Sequence, residues 1–185
     1  HGLDVCVYNR TETKAFDWVN EFEGSSAPTP AEAAVDAQVV FLCVGNDNDV
    51  RSVTVGPEGV LSTMTEGSTL VDHTTTSRQL AEELEIACQE LGVAFMDAPV
   101  SGGQAGAKNG VLTVMMGGDK ATFTRVEPVV AHFAKHAQLM GNVGSGQLTK
   151  MTSSESSPNT STTALCAARR PSGPRSPRRP GSPAK

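Results

Sequence analysis

One apolar run, Val39-Val-Phe-Leu-Cys-Val44 behind Gln38, constrains the fold more than any other stretch of this sequence. A strand with one face in water alternates apolar and polar residues, whereas a strand that is buried on both faces is apolar throughout. Strands of the second kind belong to parallel sheets that carry helices on both sides. The segment 38–44 is therefore predicted to be an inner strand of such a sheet.

Helix patterns alternate with strand patterns up to residue 151. Helical spacing is clearest at 77–91, where Leu80, Leu84 and Leu91 share one face and Gly92 marks the end. Pro128 is expected to interrupt or kink a later helix. The predicted helices are 12–22, a short one from Pro30 behind the capping residue Thr29, 77–91 and 123–133.

Strands are predicted at 3–8, 38–44, 68–72, 93–96 and 110–116, and 138–140 is a last short apolar segment. Residues 45–49 are interpreted as a polar loop, and 50–55 are ambiguous. Strands that alternate with helices at this spacing predict an α/β class with a doubly wound, mostly parallel sheet. Ligands of such sheets gather at the carboxyl ends of the strands, where this sequence has small polar loops.

Charge divides the chain into two unlike parts. Residues 1–151 carry 9 Lys and Arg against 19 Asp and Glu, and residues 152–185 carry 6 against 1. Ser, Pro, Arg and Thr make up 23 of those last 34 residues. We therefore predict one globular domain at 1–151 and a disordered tail at 152–185, whose abrupt start is typical of a reading-frame shift or a misjoined exon. The acidic domain argues against nucleic acid as a partner.

The four cysteines are far apart and form no C-x-x-C pair; they are Cys6, Cys43, Cys88 and Cys166. Free thiols predict a reducing compartment, with the cytoplasm as the default. No stretch approaches the roughly 18 apolar residues of a membrane span, and no leader opens the chain, so no membrane partner is expected. The histidines lack the spacing of metal ligands, so no metal site is predicted.

The stretch from Asp97 to Gly110 carries the most specific local chemistry. A strand runs through Asp97-Ala-Pro-Val100 into Ser101-Gly102-Gly103, and two more glycines follow closely. Glycines let consecutive backbone N–H groups turn toward one point, and the Ser101 hydroxyl adds a donor. The functional interpretation is a seat for the carboxylate of a small acid. The alternative is a glycine-rich connection between two strands.

A dinucleotide site normally has G-x-G-x-x-G after its first strand and a ribose-reading residue about 20 positions later. Here strand 3–8 ends in Asn9-Arg10-Thr11, which suits the second strand of such a sheet. The glycine loop would then precede His1, so either the chain is truncated or strand 3–8 is misassigned. Arg10 suits a 2′-phosphate, where a carboxylate would suit the free 2′-OH of NAD. NADP is favoured, NAD stays open, and a solvated Arg10 without a role is the alternative.

Together these residues resemble a known family. The matching blocks are Val7–Thr11, Val71–Thr75, Asp97–Gly103 with Gly106, Ala107 and Gly110, Gly117–Gly118, and Gly144–Gln147 with Lys150. The chain resembles the β-hydroxyacid dehydrogenases, which include 3-hydroxyisobutyrate dehydrogenase and tartronate semialdehyde reductase. The resemblance is to their Rossmann-like, amino-terminal NAD(P)-binding domain, which is related to that of 6-phosphogluconate dehydrogenase, and it covers nearly all of residues 1–151.

The resemblance implies a role for each matching position. Asn9, Arg10 and Thr11 would contact the adenosine 2′-phosphate of NADP. The backbone of Val44 and Gly45 would form a floor under the cofactor, and Thr75 would contact its nicotinamide side. Ser101, Gly102 and Gly103 would hold the carboxylate of a small 3-hydroxy acid. Lys150 would be the catalytic lysine, since a lysine at the reacting oxygen can accept or donate the proton that accompanies hydride transfer.

Three departures from the family pattern limit the expected activity. The phosphate-binding glycine loop is absent, and Ser153 and Ser154 stand where the family has an asparagine. The helical carboxyl-terminal domain, through which full-length relatives form homo-oligomers, is missing as well. We therefore expect an inactive or weakly active fragment of an oxidoreductase, of open oligomeric state. The alternative is a cofactor-binding or scaffold module without catalysis.

Overall fold

The computed structural model describes residues 2–153 and 164–169. The helices are α1 (Glu12–Glu21), α2 (Pro30–Ala34), α3 (Asp47–Thr54), α4 (Arg78–Gln89), α5 (Gly103–Lys108), α6 (Lys120–Val130) and α7 (Ser145–Thr152). The strands are β1 (Asp4–Tyr8), β2 (Ser25–Ser26), β3 (Ala37–Cys43), β4 (Thr69–Asp72), β5 (Ala94–Asp97), β6 (Val100–Ser101), β7 (Leu112–Gly118), β8 (Ala134–Gly141) and β9 (Ala164–Arg169). No helix of this described part is long and apolar enough to cross a membrane.

A single mixed sheet holds these strands in the order β2-β1-β9-β3-β4-β5-β7-β6, with β8 paired to β7. Strands β1 to β6 run in one direction, and β7, β8 and β9 run in the other. The predicted α/β class with a mostly parallel, Rossmann-like sheet is confirmed. Because β1, β3, β4 and β5 share one direction, their carboxyl ends and the loops behind them lie along one edge.

Helices cover both faces of the sheet. One face packs on α2, α3 and α4 through residues such as Ala33, Val50 and Leu84, which are 0–2% exposed. The other face packs on α6, where Val126 and Val130 contact the strands that carry Val71 and Met116. Strand β3 contributes to the apolar packing on both faces. Val40 and Leu42 belong to the face with α2, α3 and α4, and Val39 and Phe41 belong to the face with α6. The apolar run that predicted an inner strand is therefore buried on both sides.

Most predicted elements are confirmed, and their ends have local causes. Thr29 caps α2 by accepting a hydrogen bond from the N–H of Glu32 at 3.1 Å. Ser77 caps α4 in the same manner, at 3.2 Å from the N–H of Leu80. Gly92 has a φ of 66°, which is the left-handed conformation expected after a helix end.

Two local predictions are wrong. Residues 45–49 are not all loop, because the Asn46 side chain caps α3 by accepting from the N–H groups of Asn48 and Asp49 at 2.9 and 3.0 Å. The ambiguous segment that follows is the rest of this helix. Helix α6 also continues through Pro128 to Val130, and the N–H of Ala131 still donates to the carbonyl oxygen of Glu127 at 2.9 Å.

The predicted disordered tail contains a strand. Segment β9 lies antiparallel between β1 and β3, with Ala167 opposite Cys6 on one side and Val40 on the other. Leu165 and Ala167 are 1% and 0% exposed. The prediction of disorder is therefore wrong for residues 164–169, because two strands with unpaired backbone groups accept a third between them. For residues 154–163 and 170–185 the prediction lies outside the described residues.

Candidate active site

Four loops meet at the carboxyl edge of the parallel strands. The loop behind β1 holds Asn9, whose side-chain oxygen accepts from the N–H of Thr11 at 2.9 Å. Arg10 reaches over the neighbouring loop and lies 3.4 Å from a carboxylate oxygen of Asp49, in α3. A cleft of about 490 Å³ opens beside this loop, lined by Tyr8, Asn9, Arg10, Glu12, Ala15, Phe16, Ser26, Ala27 and Pro28.

Thr74 joins the loops behind β3 and β4. Its hydroxyl oxygen accepts from the N–H of Val44 at 3.0 Å, and its own N–H donates to Asp72 at 2.8 Å. The backbone of Val44 is thereby fixed against the neighbouring loop, and Val44 is only 2% exposed. Thr75, one residue further on, is exposed at the surface of the edge.

Asp97, the last residue of β5, holds the first turn of α7. One of its carboxylate oxygens accepts from the N–H of Gly144 at 2.7 Å, and the other accepts from the N–H of Gln147 at 2.8 Å. Anionic side chains are favoured at this end of a helix, where backbone N–H groups lack partners within the helix. Asp97 is 0% exposed, so these bonds form out of contact with water.

Gln147 makes a second polar connection from the same turn of α7. Its amide nitrogen donates to the carbonyl oxygen of Thr74 at 2.7 Å, and its amide oxygen accepts from the N–H of Thr76 at 3.0 Å. The side chain is fully buried. Helix α7 is therefore tied to the loop behind β4 as well as to the end of β5.

The predicted carboxylate seat and Lys150 lie on different elements, the seat at the end of β6 and the lysine on α7, and Asp97 is linked to both. Ser101 ends β6 and pairs with Thr113 of β7, while Gly102 and Gly103 are exposed and have φ angles of 124° and 59°. Both angles are in the region that favours glycine. Lys150 lies in the last turn of α7 and is 7% exposed. Asp97 connects the two regions, because the chain that follows it leads into the seat.

Burial shapes the electrostatics of this edge. It raises the pKa of the Asp72 carboxyl to about 7, and the charges of Asp97 and Asp47 add to the rise, whereas hydrogen bonds from Thr74 oppose it. Burial also raises the pKa of Asp97, against the N–H donors of Gly144 and Gln147, which lower it. For His73, burial lowers the pKa; its Nδ1 lies 2.7 Å from the carbonyl oxygen of Ala98, and its ring stacks on Phe41.

The sequence did not single out three of the residues that organise this edge: Thr74, Asp97 and Gln147. All three belong to blocks that carried the family resemblance, but their hydrogen-bond partners are distant in the chain. The partner of Thr74 is 30 residues away, those of Asp97 are 47 and 50 residues away, and those of Gln147 are 71 and 73 residues away. A polar residue at the carboxyl end of a predicted inner strand was the available signal for Asp97. Its target, the first turn of α7, depends on the tertiary fold.

Comparison with known proteins agrees with this architecture. Residues 1–144 match the family described as the NAD binding domain of 6-phosphogluconate dehydrogenase. An uncharacterized oxidoreductase of Shewanella frigidimarina is 53% identical over 152 residues, which are 82% of this chain and 52% of that protein. "Probable 3-hydroxyisobutyrate dehydrogenase-like 1, mitochondrial" of Arabidopsis thaliana is 40% identical over 153 residues, 82% of this chain and 45% of that protein.

A solved structure described as Psf3 in complex with NADP+ and 2-OPP superposes with a TM-score of 0.75 at 27% identity, over 79% of this chain and 51% of that one. The chain thus spans about half the length of the relatives that it matches. The resemblance predicted from the motifs is confirmed: the chain belongs to the family of the NAD-binding domain of 6-phosphogluconate dehydrogenase, together with oxidoreductases of the 3-hydroxyisobutyrate dehydrogenase type.

Proposed function

We propose that the chain is the cofactor-binding half of an NADP-dependent 3-hydroxyacid dehydrogenase, which transfers a hydride between NADP and a small 3-hydroxy acid or its semialdehyde. The observation that supports this most is the contact of Asp97 with α7, because the strand that leads into the carboxylate seat also holds the helix of Lys150. On its own the chain would bind cofactor with little or no turnover.

In this proposal the loop behind β1 selects the cofactor. Asn9, Arg10 and Thr11 would bind the adenosine 2′-phosphate. The Arg10 side chain is 67% exposed, and its ion pair with Asp49 at 3.4 Å is of the exposed kind that contributes little stability. A phosphate could therefore replace Asp49 as the partner at small cost, since the guanidinium fork suits phosphate geometry.

The loops behind β3 and β4 would lie under the rest of the cofactor. Val44 and Gly45 would supply a backbone floor, which the bond from Val44 to Thr74 holds in place. Thr75, exposed beside it, would contact the nicotinamide side. When bound, the nicotinamide ring accepts or supplies the hydride. The chain's own contribution here is to orient the ring and to keep the floor rigid.

Substrate binding and proton transfer would fall to the seat and to Lys150. The Ser101 hydroxyl and the N–H groups of Gly102 and Gly103 would bind the substrate carboxylate. Lys150 would take the alcohol proton during oxidation and return it to the carbonyl oxygen during reduction. Its ammonium group would also stabilise negative charge that develops on that oxygen.

The cofactor preference can be measured on this chain directly, by titrating it with NADPH and NADH and following the fluorescence of the reduced nicotinamide. Arg10→Ala should weaken NADPH binding about tenfold or more, because a hydrogen bond to a charged group is worth roughly 1.5–3 kcal/mol, and it should leave NADH binding unchanged. Arg51→Ala is the matched control, since it removes the same charge from a residue that pairs with Glu83 of α4. Equal affinity for the two cofactors, or no binding of either, would contradict the role of Arg10.

Turnover can be assayed in a chimera that adds the part of a relative which this chain does not span. Residues 1–150 would be joined to the flanking segments of the Shewanella frigidimarina relative and assayed on a panel of small semialdehyde acids with NADPH. Lys150→Ala should lower kcat by about 10²–10⁴-fold, as expected for a general acid–base group, whereas Lys120→Ala, at an exposed position in the first turn of α6, should not. A folded chimera that reduces none of the acids would defeat the enzyme proposal.

A second candidate is a cofactor-binding or scaffold module without catalysis. Strand β9 favours it, because a segment from the carboxyl-terminal part of the chain fills the position between β1 and β3. Under this alternative the 185-residue chain would bind a cofactor or a protein partner, the binding would weaken when 152–185 is deleted, and the active-site chimera would show no turnover.

The cytoplasm remains our proposed compartment. All four cysteines are free thiols, and burial raises the pKa of Cys88 to about 12, so this thiol stays protonated and unreactive. Free thiols suit a reducing compartment. Fractionation of cells with an antibody against the chain tests this, and recovery in mitochondria, the compartment named for the Arabidopsis relative, would overturn it.

A further inference from the structure

Helix α7 is attached to the sheet through a buried anion. Asp97 accepts one hydrogen bond from the N–H of Gly144, just before the helix, and one from the N–H of Gln147 in its first turn. The two carboxylate oxygens engage two different points of the chain, at 2.7 and 2.8 Å. Two bonds to one rigid carboxylate fix both the position and the tilt of this turn.

Two glycines pack closely against the Asp97 carboxylate, where a larger residue would not fit. A Cβ on Gly117 would overlap the first Asp97 oxygen, and a Cβ on Gly146 would lie 2.8 Å from the second. Gly144 has a φ of 85°, a conformation that glycine adopts without strain and that turns its N–H toward Asp97. Glycines on β7 and on α7 thus enclose Asp97 from two sides.

Lys150 lies six residues beyond Gly144 on the same short helix. An α-helix rises 1.5 Å per residue, so the lysine stands roughly 9 Å along the axis from Gly144, the first of the two Asp97 contacts. Gln147 ties the same turn to the loop of Thr74 and Thr76, which hinders rotation of the helix about its axis. A helix that is fixed at its first turn carries a side chain of its last turn to a defined place.

We propose that Asp97 is a positioning residue, which holds Lys150 in a fixed relation to the carboxylate seat that begins at Ser101. Asp97 is linked to both groups. Its carboxylate binds the helix that carries Lys150, and its own strand, β5, leads through Ala98, Pro99 and Val100 into the seat. The inference rests on the proposed role of Lys150. It adds that the geometry between proton donor and substrate carboxylate is set by a carboxylate that itself contacts neither reactant.

The test measures how reactive the Lys150 amine is in the folded 185-residue chain. Brief acetylation with acetic anhydride, followed by peptide mass spectrometry, gives a rate for each lysine, with exposed Lys108, Lys120 and Lys135 as internal references. The variants are Asp97→Ala, which removes both acceptors, and Asp97→Asn, which keeps one. Asp119→Ala is the matched control, because the Asp119 carboxylate caps α6 by accepting from the N–H of Thr122 at 3.0 Å, whereas the Asp97 carboxylate accepts from α7.

In the unaltered chain Lys150 should react more slowly than the three references. Asp97→Ala should raise its rate about tenfold relative to them, because the loss of two bonds to a buried charge lets α7 open locally more often. Asp97→Asn should restore part of the slow rate, and Asp119→Ala should leave it within about twofold of the original. The exposed references react at a rate that unfolding hardly changes, so a general loss of stability would also raise the Lys150 ratio. Asp119→Ala and the amide exchange of β4 separate such a general loss from local opening of α7.

The proposal would be overturned if Asp97→Ala left the acetylation rate of Lys150, relative to the reference lysines, unchanged. It would also be overturned if Asp119→Ala raised this relative rate as much as Asp97→Ala does. If Asp97→Ala fails to fold, the folded Asp97→Asn variant decides through amide hydrogen exchange. The N–H groups of Gly144 and Gln147 should then exchange at least about tenfold faster while those of β4 do not, and unchanged exchange would overturn the proposal. Neither measurement needs cofactor or turnover. An inactive chimera together with a positive labelling result would therefore reject the catalytic role of Lys150 and retain the anchoring of its helix by Asp97.

Discussion

Asp72 and Asp97 are paired neighbours at the ends of two adjacent parallel strands, and both are buried, at 1% and 0% exposure. Their carboxylates serve different partners, since Asp72 accepts from Thr74 and Asp97 from Gly144 and Gln147. Two carboxylates this close oppose each other's ionisation, and each raises the free energy of the other's charged form. This edge of the sheet is consequently sensitive to pH.

The first prediction concerns Asp72, whose pKa is about 7 in the folded chain against 3.8 for an ordinary Asp. Between these values the folded state holds a proton that the unfolded state has released, so the contribution of Asp72 to stability is fully present below pH 4 and is lost as the pH rises toward 7. Asp72→Asn keeps an acceptor for Thr74 and should flatten this fall, which amounts to at most about 1.4 kcal/mol per pH unit. Urea denaturation at a series of pH values measures the slope. Asp17→Asn, on the exposed side of α1, controls for the loss of one charge, and equal slopes in all three proteins would contradict the prediction.

The second prediction concerns His73, whose Nδ1 donates to the carbonyl oxygen of Ala98 and whose Nε2 is buried without a hydrogen-bond partner. A proton on Nε2 would be buried beside the rings of Phe41 and Phe133, so burial lowers the pKa of His73. Below the usual pKa of about 6.5, His73 binds a proton in the unfolded state but stays neutral in the folded state. The contribution of His73 to stability therefore falls as the pH drops. Nuclear magnetic resonance of the imidazole nitrogens should show a neutral ring with its hydrogen on Nδ1 well below pH 6.5. A ring that is half charged at that pH would refute the assignment.

The third prediction concerns Gly146. Ala in place of Gly inside a helix normally stabilises by about 1 kcal/mol. At this position the new methyl group would overlap the carbonyl oxygen of Met115 and approach Asp97 to 2.8 Å, so Gly146→Ala should instead destabilise by about 1–3 kcal/mol. The control is Gly106→Ala in α5, where the nearest atom is the flexible Cδ2 of Leu112 at 3.1 Å. Chemical denaturation of both variants measures the sign, and a stabilised Gly146→Ala would show that α7 can shift away from Asp97.

The fourth prediction concerns β9, which joins β1 and β2 to the rest of the sheet. Leu165→Ala should cost about 2–4 kcal/mol, because Leu165 is fully buried, and the amides of β1 should lose protection from hydrogen exchange before those of β4 and β5. Cys166→Ala is the control at the next residue, whose side chain is half-buried, and it should cost less. Leu165→Ala without effect on β1 would mean that β9 is not paired there in solution.

Local patterns were sufficient to predict the parallel core. The apolar run at 38–44, the cap Thr29 and the helix stop Gly92 all act within a few residues of themselves, so their effects could be derived from the sequence. Asn46 was misinterpreted because an Asn- and Asp-rich segment has the composition of a loop, although the same side chains are good helix caps. Pro128 was expected to interrupt or kink its helix, but the helix is not interrupted, and Val126 and Val130 on either side of the proline pack on the sheet.

What could not be predicted depends on distant parts of the chain. Strand β9 has little strand propensity in its alanines, and it forms because β1 and β3 each offer a row of unpaired backbone groups. The contact between Asp97 and α7 joins residues that are 47 and 50 positions apart. The sequence motifs indicated the seat and Lys150 separately, and the support that they share became visible only in the fold.

The pairing of β9 with β1 has a mechanical consequence. Asp4 lies opposite Arg169, and Tyr8 lies opposite Leu165, so the two strands are antiparallel and end at shared edges. A force that pulls Asp4 and Arg169 apart acts along the hydrogen bonds, which are perpendicular to the strands, and breaks them one after another. A force between Tyr8 and Arg169 acts along the strands and loads all of these bonds at once. The β1–β9 pair should therefore open at low force when it is pulled in the first direction and resist in the second.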